Sequence, residues 1–159
     1  MARGATVNLD ELPEERQAEI AEQARQHEEE AERWNALFEG LDERVLTPKM
    51  TAIADELSDA GKWMGATPTS ETRLSGTGIK SAGQFQGVID GRERPVDLDV
   101  ELFPSSNGRF IAYMEVGGRV ERETYEADEF QGETDEHDER LRKWLETQFE
   151  RHVRGKAFA

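Results

Sequence analysis

The stretch PVDLDVELF, residues 95 to 103, alternates between apolar side chains and carboxylates. On a strand, Val96, Leu98, Val100 and Leu102 point to one side, and Asp97, Asp99 and Glu101 to the other. That period of two predicts a half-buried strand with a dry face and a wet one. The period is two from about residue 70 to residue 126. Strands are predicted near 71–79, 84–90, 95–103, 109–116 and 119–126, separated by Asp90-Gly91, PSSNG and Gly117-Gly118.

If PSSNG is a five-residue loop, Phe103 faces Arg109, and Leu102, Val100, Leu98 and Val96 pair with Phe110, Ala112, Met114 and Val116. Every member of that set is apolar, and a one-residue slip would set carboxylates against it. The next hairpin has two readings. A two-residue Gly-Gly turn sets Arg122 opposite Tyr113 and Val120 opposite Glu115. A three-residue bulged turn pairs Val116 with Val120 but brings Glu115 against Glu121. Phe85, Ile111 and Tyr113 are expected to form an apolar island on the wet face. Gly76, Gly78, Gly83 and Gly87 are read as strand bends, bulges or places where another backbone comes close.

Before residue 65 the period is helical. Pro13 suits a first helical position, with Glu14 and Glu15 after it. Ile20, Ala24, His27, Ala31, Trp34, Phe38 and Leu41 then recur at alternating spacings of four and three, a heptad seam. The seam reads as a dimeric coiled coil, as one amphipathic helix packed on its own domain, or as a partly frayed arm. Ile20, Ala24, His27, Ala31, Trp34 and Phe38 are therefore the expected dimer or partner interface. Gly40 is expected to loosen or end this helix. Thr47-Pro48 reads as an N-cap and first-turn pair, though Pro48 could instead kink a continuous helix. A last helix is expected over 134–154, capped by Thr134 or Asp135.

Helix, helix, five strands and helix in that order predict an α+β fold: an antiparallel meander sheet of about five strands with the helices packed on one face. The expected organisation is a flexible N-terminus over 1–12 and a single domain over 13–159.

Thirty-five Asp and Glu against 20 Lys and Arg give a formal charge of −15. Such a field opposes nucleic acid and anionic membrane and suits a basic protein partner. The acid excess, with sparse lysine, suggests either salt adaptation or a GC-rich source. Without cysteine there is no disulfide, thiolate catalysis or Cys-ligated metal. The absence of a long apolar run and of a signal-like N-terminus leads to the expectation of a cytoplasmic protein.

Motifs narrow the chemistry further. SGTGIKSAGQ departs from a phosphate loop because Ile79 separates Gly78 from Lys80. No His-Glu-x-x-His or nucleophile elbow is present. Asp97, Asp99 and Glu101, with Glu115 across the hairpin, are weighed as divalent-cation ligands. Adjacent acids on one face of a strand stand about 6.6 Å apart, too far to share a cation without help from elsewhere. Solvation of an open sheet face is the simpler reading. No cofactor and no catalytic residue is assigned. The expected function is a non-catalytic, acidic, homodimeric protein-binding or adaptor protein. The alternative is a small enzyme or ligand-binding domain with a pocket between sheet and helices, with dependence on a divalent cation as one version of it.

Overall fold

The computed structural model describes residues 13–159, so the expected flexible segment 1–12 lies outside the described residues. The chain divides into two compact units, the first ending at Arg33 and the second running from Trp34 to Ala159. Helix α1 spans Glu14–Leu41, a π-helical turn spans Asp42–Leu46, and α2 spans Thr47–Asp59. Six strands follow: β1 Trp63–Met64, β2 Glu71–Thr72, β3 Ile79–Ile89, β4 Arg92–Pro104, β5 Arg109–Val116 and β6 Arg119–Glu126. A 3₁₀ turn, Ala127–Phe130, leads to α3, Asp135–Gln148, then a second π turn, Phe149–Arg154, and the short α4, Gly155–Ala157. This is the expected α+β fold. The sheet is antiparallel, in the order β1-β3-β4-β5-β6, with β2 also paired to β3.

The alternating residues of β4 do form the dry face. Val96, Leu98, Val100 and Leu102 are buried, as are Phe110, Ala112, Met114 and Val116 of β5. Against them pack Met50, Ile53 and Leu57 of α2, Phe38 and Leu41 of α1, Leu141 and Leu145 of α3, and Phe149 and Val153 of the second π turn. Phe110 anchors an aromatic cluster, with ring centroids 5.7 Å from Phe38, 5.4 Å from Tyr125 and 5.2 Å from Phe130.

The β4–β5 register corrects the expectation by two residues. Leu102 pairs with Ala112, Val100 with Met114 and Leu98 with Val116, while Pro104 faces Phe110. The cause is a tighter turn. Asn107 and Gly108 adopt φ of 58° and 69°, and Ser105 N–H donates to the Arg109 carbonyl at 2.8 Å. A two-residue shift leaves every side chain on its face, so alternation could not reveal it. The β5–β6 hairpin takes the two-residue Gly-Gly reading, with Tyr113 opposite Arg122 and Glu115 opposite Val120.

Four other expectations change. The strand expected over 71–79 is only Glu71–Thr72, joined by a loop to β3, which begins at Ile79 and runs unbroken through Gly83. Gly83 stays in the strand because Trp63 of β1 lies over it: an added Cβ would come 2.4 Å from the indole ring. Phe85, expected on the wet face, pairs with Val96 and is fully buried. Gly40 lies inside α1, and the chain continues through the π turn into α2 with Pro48 in the first turn. Thr47 is not the N-cap; its hydroxyl donates to Asp42 at 2.8 Å. A π turn widens the local ladder, which accommodates a residue without an N–H.

The first part of β4, Arg92–Val96, pairs with β3 alone, since β5 ends opposite Leu98. Gly117 N–H donates to the Asp97 carbonyl at 3.0 Å, which places odd-numbered β4 backbone groups toward β5. Pro95 therefore presents a missing N–H to the free edge, which blunts strand addition there.

Candidate functional site

The open face of the sheet gathers the acids singled out from sequence. Asp99 stands directly opposite Glu115, and Glu101 opposite Tyr113. On the other side, Lys80, Ala82 and Gln84 of β3 face Glu101, Asp99 and Asp97. Each acid has a neighbour. Asp97 accepts from Gln84 Nε2 at 2.9 Å, and Glu115 accepts from the Tyr113 hydroxyl at 2.7 Å. Glu101 pairs with Arg73 at 2.8 Å. Asp99 has only Lys80 Nζ, at 3.5 Å, and its Oδ1 is buried without a hydrogen-bond partner.

That arrangement sets the electrostatics. Burial pushes the Asp99 carboxyl up to about 6, the Glu101 charge adds to the rise, and Lys80 opposes it. The Tyr113 hydroxyl is pushed up to about 12, first because it donates to Glu115 and then by burial. Arg73 and Arg122 lie over the rings of Phe103 and Tyr113, 4.3 Å and 5.9 Å from the centroids. Phe103, Ile111 and Tyr113 are therefore the half-buried apolar island, with Phe103 in the place expected of Phe85.

Among the described residues no group of three His, Cys, Asp or Glu is arranged to hold a metal ion. The acids form hydrogen bonds and ion pairs with side chains of β3, β5 and the β2–β3 loop instead. A cavity of about 490 Å³ opens where the sheet ends, lined by Arg94, Pro95, Val96, Asp97, Asp99 and Glu115, with Gly117-Gly118 at its rim. The space between sheet and helices holds the core side chains.

The other expected site is the α1 seam. Up to Arg33, Ala24 and His27 are exposed, while Ile20 and Ala31 are partly buried. Every residue from Ala21 to Glu30 is exposed. The helix surface carries Arg16–Glu19, Arg25–Glu22 and Arg25–Glu29 ion pairs. In the second unit, Trp34 is partly buried and stacks on Phe38 at 5.6 Å. Phe38 itself is fully buried in the core and touches Phe110, so it holds its own domain together.

Sequence reasoning missed Arg73 and Lys80 as partners of the acid row. Lys80 was legible once β3 is read as a single strand, since it alternates with Ala82 and Gln84. Arg73 sits in a loop closed by its own N–H on the Gly78 carbonyl at 3.1 Å, which no sequence period reports.

Comparison of the chain with protein-family models, curated proteins and solved structures finds no match. Among the described residues, no helix is long and apolar enough to cross a membrane.

Proposed function

We propose that this chain is a non-catalytic protein-binding or adaptor protein that works as a homodimer, with the helical stretch Glu14–Arg33 as a contact element. The observation that carries the reading is the run of exposed side chains from Ala21 to Glu30 in an ordered helix. In proteins, helices gain most of their stability from packing of an amphipathic face rather than from intrinsic propensity. Ile20, Ala24, His27 and Ala31 supply one face, although three of the four are small or polar. The contact must therefore draw on charge as well as burial.

The test is light scattering on the full chain, comparing wild type with Ile20→Glu/Ala24→Glu. The variant is expected to shift the mass toward one chain while its circular dichroism stays helical. An unchanged dimer in that variant would remove the helix from the interface. The reading includes a cytoplasmic setting and a basic protein as further partner, which suit the −15 charge. Fractionation of tagged protein and binding to a lysine-rich peptide check these two points.

A second reading, a ligand-binding domain dependent on a divalent cation, draws support from the unpartnered Asp99 oxygen in the cavity wall. It ranks second because Asp97, Glu101 and Glu115 already have hydrogen-bonded neighbours. Saturable heat with Mg²⁺, Mn²⁺ or Ca²⁺ that disappears in Asp99→Asn would promote it; the absence of such heat would dismiss it.

A further inference from the structure

In a chain of charge −15, cations without an acid partner are conspicuous. Among the described residues, Arg92, Arg94 and Lys156 form no ion pair, as is also true of Arg33, Arg122, Lys143 and Arg151, but these three come together; Glu93 between the two arginines is taken by Lys62 at 3.0 Å. Arg92 and Arg94 share the Val96 face of β4, facing Ile89 and Gly87 of β3. Lys156 of α4 reaches the same place. An added Cβ on Gly87 would meet Val96 at 2.8 Å and Lys156 Cβ at 3.3 Å. An added Cβ on Gly117 would meet Val96 at 3.2 Å and Lys156 Cε at 3.7 Å. The Lys156 stem therefore runs from Gly87 toward Gly117 across Val96, beside Arg94.

Arg119, just after the Gly117-Gly118 turn, extends the patch. Burial lowers the His152 pKa, and the charges of Arg119 and Lys156 lower it further against the pull of Glu121. Both cations are thus within electrostatic reach of the imidazole. Glu121 is the acid here, 3.2 Å from Arg119 and 3.3 Å from His152. Asp97, Asp99 and Glu115 line the same cavity from the opposite face of the sheet. At this end of the sheet, positive charge emerges on the helix side and negative charge on the open side.

The complement is present in the same sequence. Glu28, Glu29, Glu30 and Glu32 are all exposed on α1, and of these only Glu29 forms an ion pair, with Arg25 at 2.8 Å. We propose that the Arg92–Arg94–Lys156–Arg119 patch receives the Glu28–Glu32 segment of a second copy of the chain. This deepens, and rests on, the homodimer reading above. It commits that dimer to a reciprocal contact, the helix of each copy lying on the patch of the other, which closes with twofold symmetry. It also accounts for a seam rich in alanine: charge complementarity fixes orientation where burial is modest.

Sedimentation velocity on full-length variants at low salt tests the contact. R94E/K156E and E28K/E32K, the second pair one turn apart on a single helix face, are each expected to raise the dimer dissociation constant by about tenfold or more. An equimolar mixture of the two variants is expected to dimerise again, because both contacts in the mixed pair are then complementary. R92E/R94E repeats the first arm with exposed side chains only, leaving the Lys156 stem on Val96 in place. Wild-type affinity is expected to fall as salt rises. A wild-type dimer that ignores all three variants overturns this contact and leaves the homodimer reading standing. A mixture that stays monomeric also overturns it. A wild-type chain that is monomeric throughout overturns both.

Discussion

Replacing Asp99 with asparagine is expected to stabilise the protein at neutral pH, the reverse of the usual effect of removing an ion-pair partner. The carboxyl has an ordinary value of 3.8 and is pushed up to about 6 in the folded chain, chiefly by burial and then by Glu101. Its sign follows from linkage. Between those two values the folded chain holds a proton that the unfolded chain has released, so stability falls as pH rises through the window. Above it both states are ionised and the full penalty persists; below it both are protonated and the penalty vanishes.

The shift corresponds to about 3 kcal/mol in the unscreened limit. Asp99 is only partly buried, and solvent screening reduces that to about 1 kcal/mol. Asparagine keeps the shape, removes the charge opposite Glu115, and gives up only the 3.5 Å contact with Lys80. Urea unfolding of both proteins at half-unit steps from pH 3.5 to 8 measures the difference. His152 works in the opposite sense: its pKa is lowered, first by burial, so stability is lost as pH falls through its window. Comparing variant with wild type at each pH cancels that contribution. Asp99→Asn should be more stable by about 1 kcal/mol at pH 7.5, the gap closing below about pH 4. A variant that is equal or less stable at pH 7.5 would refute the electrostatic reading of this face.

Three further substitutions probe the framework. Gly83→Ala puts a methyl into the Trp63 ring, 2.4 Å from its nearest atom, and is expected to cost about 1–3 kcal/mol with a changed tryptophan emission spectrum. Phe110→Ala removes the centre of the aromatic cluster and is expected to cost about 3–5 kcal/mol in urea unfolding. Asp138→Ala leaves Arg44 without its 2.7 Å partner. The aspartate is 1% exposed but the arginine 40%, so hydration of the arginine holds the expected loss to about 2 kcal/mol. Thermal melts check the order, with Phe110→Ala lowest.

Much of this fold was legible because one stretch confines its neighbours. The alternation over 95–103 required a strand with a dry side, and the apolar residues of 109–116 could only meet that side. What alternation cannot supply is absolute register: any shift by two residues keeps all the faces. The deciding information lay in the backbone of Asn107 and Gly108, whose left-handed conformation tightens the turn and draws Pro104 and Ser105 into the ladder. Gly83 misled for the opposite reason. It reads as a bend, a bulge or a close approach of another backbone, yet it lies within an unbroken strand, and what comes close is a side chain, the Trp63 indole.

The candidate sites divide in the same way. The acids were legible as one face of one strand, but their partners Arg73 and Lys80 come from a loop and a neighbouring strand. The seam was legible as a period, but the period alone could not separate Phe38, which belongs to the core, from Ala24 and His27, which are exposed. Of the unpaired cations at the end of the sheet, Arg92 and Arg94 stand together in the basic turn GRERP, residues 91–95, whereas Lys156 is 62 positions from Arg94 and meets it only through Val96 and the two glycines beside it.

Sedimentation equilibrium of the wild-type chain from low to high micromolar concentration, at low salt, addresses the assembly claim most directly. The expected result is a reversible equilibrium that approaches twice the 18.0 kDa chain mass. A mass of 18.0 kDa at every concentration would contradict it.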